Sequence, residues 1–182
     1  YAARRGLTKA QIVCMSAPMR EESLGAIATW LGGARTYSTR FRPVELRVEI
    51  KHKNAMYVAG TGELSRHIPG ATDNDHIAVL VRETIDENGS VLVFCPTRSS
   101  CEVTAEFLRT SLPGLGVAAH HAGMGTDERN EAQHAFIHGK LRVLCCTSTL
   151  AMGVNLPARR VILRSIEMGR SALDARTIQQ MI

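Results

Sequence analysis

Apolar and polar positions alternate along the chain in blocks that predict strands and helices in regular succession. Four continuous apolar runs are typical of buried strands, and the segments beside them carry apolar residues at helical spacing. The predicted strands are 91–95, 117–120, 141–146 and 161–163, and the predicted helices are 73–86, 99–111, 126–138 and 173–182. Strands that alternate with helices form parallel sheets covered on both faces, so the pattern predicts a three-layer α/β domain.

The first third of the chain is less regular. Residues 10–15 form an apolar run that predicts a strand, and residues 21–31 carry apolar positions at helical spacing before two glycines that favour a helix end. Pro43 excludes a helix in residues 36–50, where apolar and charged residues alternate as they do in strands. Residues 51–72 are polar and contain glycine without a clear period. We therefore interpret them as a mobile loop or a weak hairpin.

Polar residues follow three of the predicted strands: Pro96-Thr97-Arg98, His121-Ala122-Gly123 and Thr147-Ser148-Thr149. The carboxyl ends of parallel strands meet at one edge of a sheet, where helix N-termini converge, so these hydroxyls and amides would suit a phosphate. In the stretch 147–158, Gly153 leaves room for a close approach and Asn155 adds an amide that can donate and accept. By composition alone, the same stretch also fits a polar loop that caps a helix.

Composition narrows the classes of function. The chain has 182 residues, of which 45% are hydrophobic, and this suits one globular domain or slightly more. A net charge of +5 favours an anionic partner, and an aromatic content of 4% means that a nucleic-acid grip would rest mainly on phosphates. Five cysteines without C-x-x-C spacing favour a reducing, intracellular compartment. His120 and His121 are neighbours on a strand and point to opposite faces, so we predict no metal site there.

Two further expectations concern the chain as a whole. No apolar run is long enough to span a bilayer and the first residues do not form a secretion signal, so we expect no membrane partner. The chain begins with Tyr1 and ends within a helical pattern that has no capping signal. We therefore expect it to be a piece of a longer protein.

Five ordered sequence blocks resemble the superfamily 2 helicases, in the branch that contains the helicase domain of DNA polymerase theta and helicase POLQ-like. The blocks are QIVCMSA at 11–17, FRPVEL at 41–46, VLVFCPT at 91–97, HHAGM at 120–124 and TSTLAMGVNLPARRVI at 147–162. Proteins of this family have two RecA-like domains that bind ATP in the cleft between them. The resemblance implies that residues 1–37 end the first RecA-like domain, as its last strand and helix. Residues 38–72 would be a connector with a mobile loop, and residues 73–182 the second RecA-like domain, truncated in motif VI.

The resemblance also implies roles for single residues. Ser16, Ala17 and Pro18 match motif III, which links the ATP site to strand separation. The residues implied to face the nucleic-acid backbone are Thr97, Arg98, His121, Gly123, Thr147, Ser148 and Thr149, and those implied to lie toward the nucleotide are Gly153, Asn155 and Gln180. Arg42 and Arg129 fit a nucleic-acid contact and an ordinary surface charge equally well. Arg159 and Arg160 could pair with carboxylates rather than with DNA.

Parts of the family pattern are absent or altered. The chain has no GxxxxGK[ST] phosphate loop and no DExH box, so the ATPase is incomplete and the ligands of Mg²⁺ are expected on the missing first domain. We predict that these 182 residues alone have no ATPase activity. Pro18 stands where the family has threonine, which puts coupling of hydrolysis to unwinding in doubt. The connection 108–116 is shorter than is usual in this branch.

The leading interpretation is part of a nuclear, ATP-dependent DNA helicase that moves 3′ to 5′ and serves DNA repair. Its partners would be single-stranded or forked DNA and the first RecA-like domain in cis, with ATP and Mg²⁺ as cofactors. One alternative is an RNA helicase of the same branch. Another is a non-catalytic nucleic-acid-binding scaffold, which Pro18 supports. A dinucleotide enzyme on a Rossmann sheet is disfavoured because no GxGxxG loop is present.

Overall fold

The computed structural model describes residues 13–16, 19, 21–39, 44–150, 156–168, 171–174, 177–178 and 181–182. The chain divides into two compact units, Tyr1–Leu46 and Arg47–Ile182. In the described part of the first unit, helix α1 (Glu21–Trp30) is confirmed, but Val13, Cys14 and Met15 are exposed and do not form the predicted strand. A strand needs a hydrogen-bonding neighbour, and the described residues of this unit provide none.

The second unit begins with an antiparallel sheet of three short strands, β1 (Glu49–His52), β2 (Ala55–Val58) and β3 (Leu64–His67), in that order. The interpretation of residues 51–72 as a weak hairpin is therefore confirmed for the paired strands, and the loop interpretation is wrong where β1, β2 and β3 pair. The sheet packs on helix α2 through Met56, Ile68 and Leu80, all buried. Strands β1 and β3 are largely polar, whereas the central strand β2 is apolar and supplies Met56 to this contact with a helix distant in the sequence.

The predicted parallel sheet is confirmed. Its strands are β4 (Val91–Phe94), β5 (Val117–His120), β6 (Val143–Cys146) and β7 (Arg160–Leu163), in the order β5-β6-β4-β7, and every pairing is parallel. Strands β4 and β6 are buried along their whole length, as continuous apolar runs in a central position require.

Helices cover both faces of this sheet, which confirms the three-layer α/β class. The helices are α2 (Asp73–Asp86), α3 (Arg98–Ser111) and α4 (Thr126–Ile137). Alternate strand residues separate onto the two faces. Val93 and Cys145 pack with Ala105 of α3, whereas Phe94 and Leu144 pack with Phe136 of α4.

Four of the five cysteines, Cys95, Cys101, Cys145 and Cys146, are fully buried in these two layers. Burial raises the pKa of the Cys145 and Cys146 thiols, so both remain protonated small apolar groups. Their role is packing.

A short hairpin that the sequence pattern did not predict follows β7. Its strands are β8 (Glu167–Met168) and β9 (Ser171–Ala172). Of the helix predicted at 173–182, residues Thr177, Ile178 and Met181 are helical, and four of the others lie outside the described residues. No helix in the described part of the chain combines the length and the apolar character needed to cross a membrane.

Candidate nucleic-acid interface

The three polar strand ends meet at one edge of the parallel sheet. The last residues of the strands, Phe94, His120 and Cys146, are in register across β4, β5 and β6. The register continues one residue further, because Cys95 N–H donates to Cys146 O (2.7 Å) and Thr147 N–H donates to His120 O (3.3 Å). Residues that follow these strands in the sequence are therefore neighbours in space.

Helix α3 begins at this edge. Thr97 is its N-cap, and its Oγ1 accepts a hydrogen bond from Ser100 N–H at 3.1 Å. Arg98, the first residue of the helix, is exposed, and no carboxylate lies within ion-pair distance of it in the described part of the chain. An uncompensated guanidinium beside the positive end of a helix dipole creates a local field that attracts anions.

The loop that follows β5 lies directly against Arg98. Gly123 is exposed, and a Cβ added there would lie 3.3 Å from Arg98 Cδ and 3.2 Å from His121 Nδ1. His121 itself is 4% exposed, and both of its ring nitrogens have partners. Arg98, His121 and Gly123, which the resemblance assigned to one surface, are thus adjacent.

A tight turn follows β6. Thr147 and Ser148 are half-buried, and Ser148–Leu150 form one turn of 3-10 helix in which Leu150 N–H donates to Thr147 O (3.2 Å). Thr149 belongs to the same turn. These three residues extend the row of strand ends between β4 and β5.

Several predicted site residues lie outside the described residues: Ala17, Pro18, Gly153, Asn155 and Gln180, together with Arg42. Ser16 is exposed in the first unit. The nucleotide-facing part of the predicted site consequently rests on the sequence resemblance.

Two side chains near the end of β5 carry buried polar atoms that have no partner in the described part of the chain, His120 Nδ1 and Arg129 Nε. Burial, and secondarily the positive charge of Arg129, lower the pKa of His120, so its ring is neutral at physiological pH. Arg129 also donates to Thr126 Oγ1 (3.3 Å). Arg129 is thus half-buried, not the freely exposed residue that the sequence allowed.

Arg159 and Arg160 pair with carboxylates of the α2 region. Arg159 Nη2 lies 2.8 Å from Glu87 Oε2, and Arg160 Nη1 lies 3.3 Å from Glu83 Oε2. Both arginines begin or precede β7 and therefore lie at the opposite edge of the sheet from Arg98. The carboxylate interpretation is confirmed for both.

The sequence analysis missed Arg164, which follows β7. Its guanidinium donates to Thr104 Oγ1 on α3 and to Asn74 Oδ1 on α2 (2.8 Å), and its backbone N–H donates to Phe94 O (3.0 Å). The rule applied to the other three strand ends would have found it, because a polar residue here again follows an apolar run.

Known proteins of one family are similar to this chain. Residues 75–182 match the helicase conserved C-terminal domain. The chain is 36% identical over 222 residues to DNA polymerase theta of Mus musculus, covering 94% of the chain and 9% of that protein. It is 33% identical over 200 residues to the ATP-dependent DNA helicase Hel308 of Thermoplasma volcanium, covering 94% and 28%. A structure of an S. cerevisiae Dbp5 variant bound to RNA and ADP BeF3 is 21% identical, with a TM-score of 0.49, covering 58% of the chain and 27% of that structure.

The chain thus spans less than a third of the length of these two relatives. The family match begins in α2, includes the whole parallel sheet and contains all three polar strand ends. The chain belongs to the superfamily 2 helicases, and residues 75–182 form their conserved C-terminal, RecA-like domain.

Proposed function

We propose that the protein containing this chain is an ATP-dependent DNA helicase that moves 3′ to 5′ on single strands. The observation that carries the proposal is the convergence of three polar strand ends beside Arg98 at the start of α3, which makes no ion pair within the described residues. Hydroxyls, amides and a guanidinium at one sheet edge suit the phosphates of a nucleic-acid strand, and such contacts position a strand without reading its bases. Thr97, Gly123 and residues 147–149 complete this surface.

DNA is favoured over RNA as the substrate. The relatives that match most of the chain carry DNA polymerase theta and DNA helicase in their names. A DNA-repair role and a nuclear location belong to the same proposal. The alternatives are an RNA helicase and a nucleic-acid-binding scaffold that has lost coupling, for which Pro18 in place of threonine is the specific support.

ATP would be bound through Gly153, Asn155 and Gln180 together with groups of the first RecA-like domain, which would also hold Mg²⁺. The bound nucleotide supplies the free energy of phosphoryl transfer for closure and reopening of the interdomain cleft. The contribution of residues 47–182 to this cycle is to hold one strand by its phosphates at the sheet edge. The isolated 182 residues are predicted to hydrolyse no ATP.

The test compares single-strand binding by the full-length protein with Arg98→Gln and with Arg82→Gln, an exposed arginine of α2, as the matched control. A salt series reports the number of phosphates held, because each lost contact to a single strand reduces the slope of log K against log salt by about 0.7. We expect R98Q to weaken binding and reduce the slope, and R82Q to change neither. An unchanged slope in R98Q would remove Arg98 from the interface.

Four further measurements separate the alternatives. Stimulation of ATP turnover by DNA and by RNA decides the substrate, and unwinding of duplexes with a 3′ or a 5′ tail decides the polarity. Salt-dependent DNA binding without any turnover by the full-length protein supports the scaffold. Recovery of unwinding in Pro18→Thr would show that the proline impairs coupling.

A further inference from the structure

His121 occupies an unexpected position for a residue at a ligand-binding edge. It follows β5 at the same level as the other strand ends, yet only 4% of it is exposed. Its Nε2 lies 3.0 Å from Glu102 Oε1, and its Nδ1 accepts a hydrogen bond from Gly123 N–H at 3.2 Å. A ring whose two nitrogens both have partners within the protein has none left to offer to a phosphate.

These two contacts define the protonation of the ring. Gly123 N–H can only donate, so Nδ1 must be the unprotonated nitrogen, and Nε2–H then donates to the Glu102 carboxylate. The form that makes both hydrogen bonds is the neutral imidazole.

The two partners of His121 belong to the two elements that surround Arg98. Glu102 lies four residues after Arg98 on α3, which places both side chains on one face of the helix. Gly123 lies in the loop whose backbone approaches the Arg98 side chain. His121 thus ties this loop to the helix that presents the guanidinium.

We infer that His121 is a positioning residue of the interface, linking Glu102 to Gly123 so that Arg98 and the loop backbone face the same phosphate. This inference rests on the proposed nucleic-acid binding at this edge. It departs from the role that the sequence resemblance implied, in which His121 itself contacts the nucleic acid. The Glu102–His121–Gly123 chain fixes a geometry, and Arg98 supplies the charge.

The test uses side chains that keep one hydrogen bond at a time. His121→Asn keeps an acceptor near the position of Nδ1, His121→Gln keeps a donor near the position of Nε2, and His121→Ala keeps neither. Glu102→Gln retains an oxygen acceptor, whereas Glu102→Ala removes it. Because Glu102 is 65% exposed in its side chain, both of its variants are compatible with folding.

The measurement is the affinity of the full-length protein for oligo(dT) over a range of salt concentrations. We expect H121A to weaken binding about tenfold with an unchanged salt slope, since geometry is lost but no phosphate contact is. H121N and H121Q should each recover part of the loss, E102A should resemble H121N, and E102Q should resemble the unsubstituted protein. In ¹⁵N spectra, the His121 ring should carry its proton on Nε2.

Each other outcome overturns the inference. A slope that falls by about 0.7 in H121A would make His121 a direct phosphate contact. Full affinity in E102A would show that the Glu102–His121 contact is not needed for binding. A proton on Nδ1 would show that Gly123 N–H does not donate to His121. If the unsubstituted protein fails to bind oligo(dT), or if R98Q binds normally, the proposed function fails first and the inference fails with it.

Discussion

Arg66 and Glu83 join the antiparallel sheet to α2 through two parallel hydrogen bonds, Nη1 to Oε1 at 2.5 Å and Nη2 to Oε2 at 2.6 Å. This forked geometry is the strongest form of an arginine–carboxylate pair. About a third of each side chain is exposed, 38% of Arg66 and 32% of Glu83, so solvent screens part of the interaction. The pair thus joins β3 to α2 in addition to the apolar contacts of Met56, Ile68 and Leu80.

We predict that Glu83→Gln lowers the free energy of unfolding by about 1 kcal/mol, because it removes a forked ion pair that is only partly screened. Glu106→Gln is the matched control. Glu106 pairs with Arg109 at 2.7 Å on an exposed face of α3. Loss of this ion pair should therefore lower the free energy of unfolding by only about 0–0.5 kcal/mol. Chemical denaturation of both variants measures the difference, and equal losses would show that the forked geometry adds nothing.

The same pair predicts a pH dependence. The hydrogen bond from Arg66, and the neighbouring charge of Arg160, lower the pKa of Glu83 from its ordinary value of 4.5. The folded state therefore holds the proton less tightly than the unfolded state, and the stabilisation is complete above pH 4.5. It is lost as the pH falls through the lowered folded value. Unfolding curves should thus converge for the unsubstituted protein and E83Q on acidification, whereas a constant gap would contradict the linkage.

Substitutions at two helix N-caps distinguish an effect on stability from an effect on DNA binding. Thr97 caps α3 within the candidate interface, and Thr72 caps α2 through Asp75 N–H at 3.2 Å, beside the end of β7. Thr97→Ala and Thr72→Ala should each cost about 1 kcal/mol of stability, because each leaves one helix N–H without its acceptor. Only T97A should weaken single-strand DNA binding. If T72A weakens it equally, the effect of T97A reflects folding alone.

Arg164 is predicted to matter for stability although no carboxylate in the described part of the chain lies within ion-pair distance of it. Arg164→Met removes the donors to Thr104 and Asn74 and should lower the free energy of unfolding by about 1–2 kcal/mol. Arg159→Met is the control, because the Arg159–Glu87 pair is exposed on both sides (61% and 57%) and should contribute less than about 0.5 kcal/mol. Thermal melts of the two variants give the comparison. Equal melting temperatures would mean that water replaces the Arg164 contacts without loss.

The sequence predicted the parallel sheet well because its signals are local. Continuous runs such as Val91–Phe94 and Val143–Cys146 can only be accommodated between two covered faces, and their polar ends follow at once in the sequence. The convergence of Thr97, His121 and Thr147 then follows from parallel strand order. Arg98 and Gly123 came together for the same reason.

The antiparallel sheet was predicted only as a possible weak hairpin, because the signals for its third strand are not local. Strand β3 reads Leu-Ser-Arg-His, without an apolar period, and the turn between β1 and β2 places Lys53 at φ 53° where glycine is expected. Its order depends on α2, through Arg66–Glu83 and Lys51–Asp73, which join residues 17 and 22 positions apart. The Glu102–His121 contact, 19 residues apart, was invisible for the same reason.

Gly123 allows the interface to be perturbed without a change of charge. A Cβ at this position would lie 3.2–3.3 Å from His121 and Arg98, so that these side chains would have to shift by a few tenths of an ångström, whereas at Gly125 the nearest atom would be Glu128 Oε2 at 3.8 Å. We predict that Gly123→Ala weakens single-strand binding about tenfold while the salt slope is retained, because Arg98 is displaced and not removed. Gly125→Ala should bind normally and cost about 0.5–1 kcal/mol of stability, because alanine is a poorer N-cap than glycine. Normal binding by G123A would show that the loop has room to yield, and that the approach of Gly123 to Arg98 does not define the phosphate site.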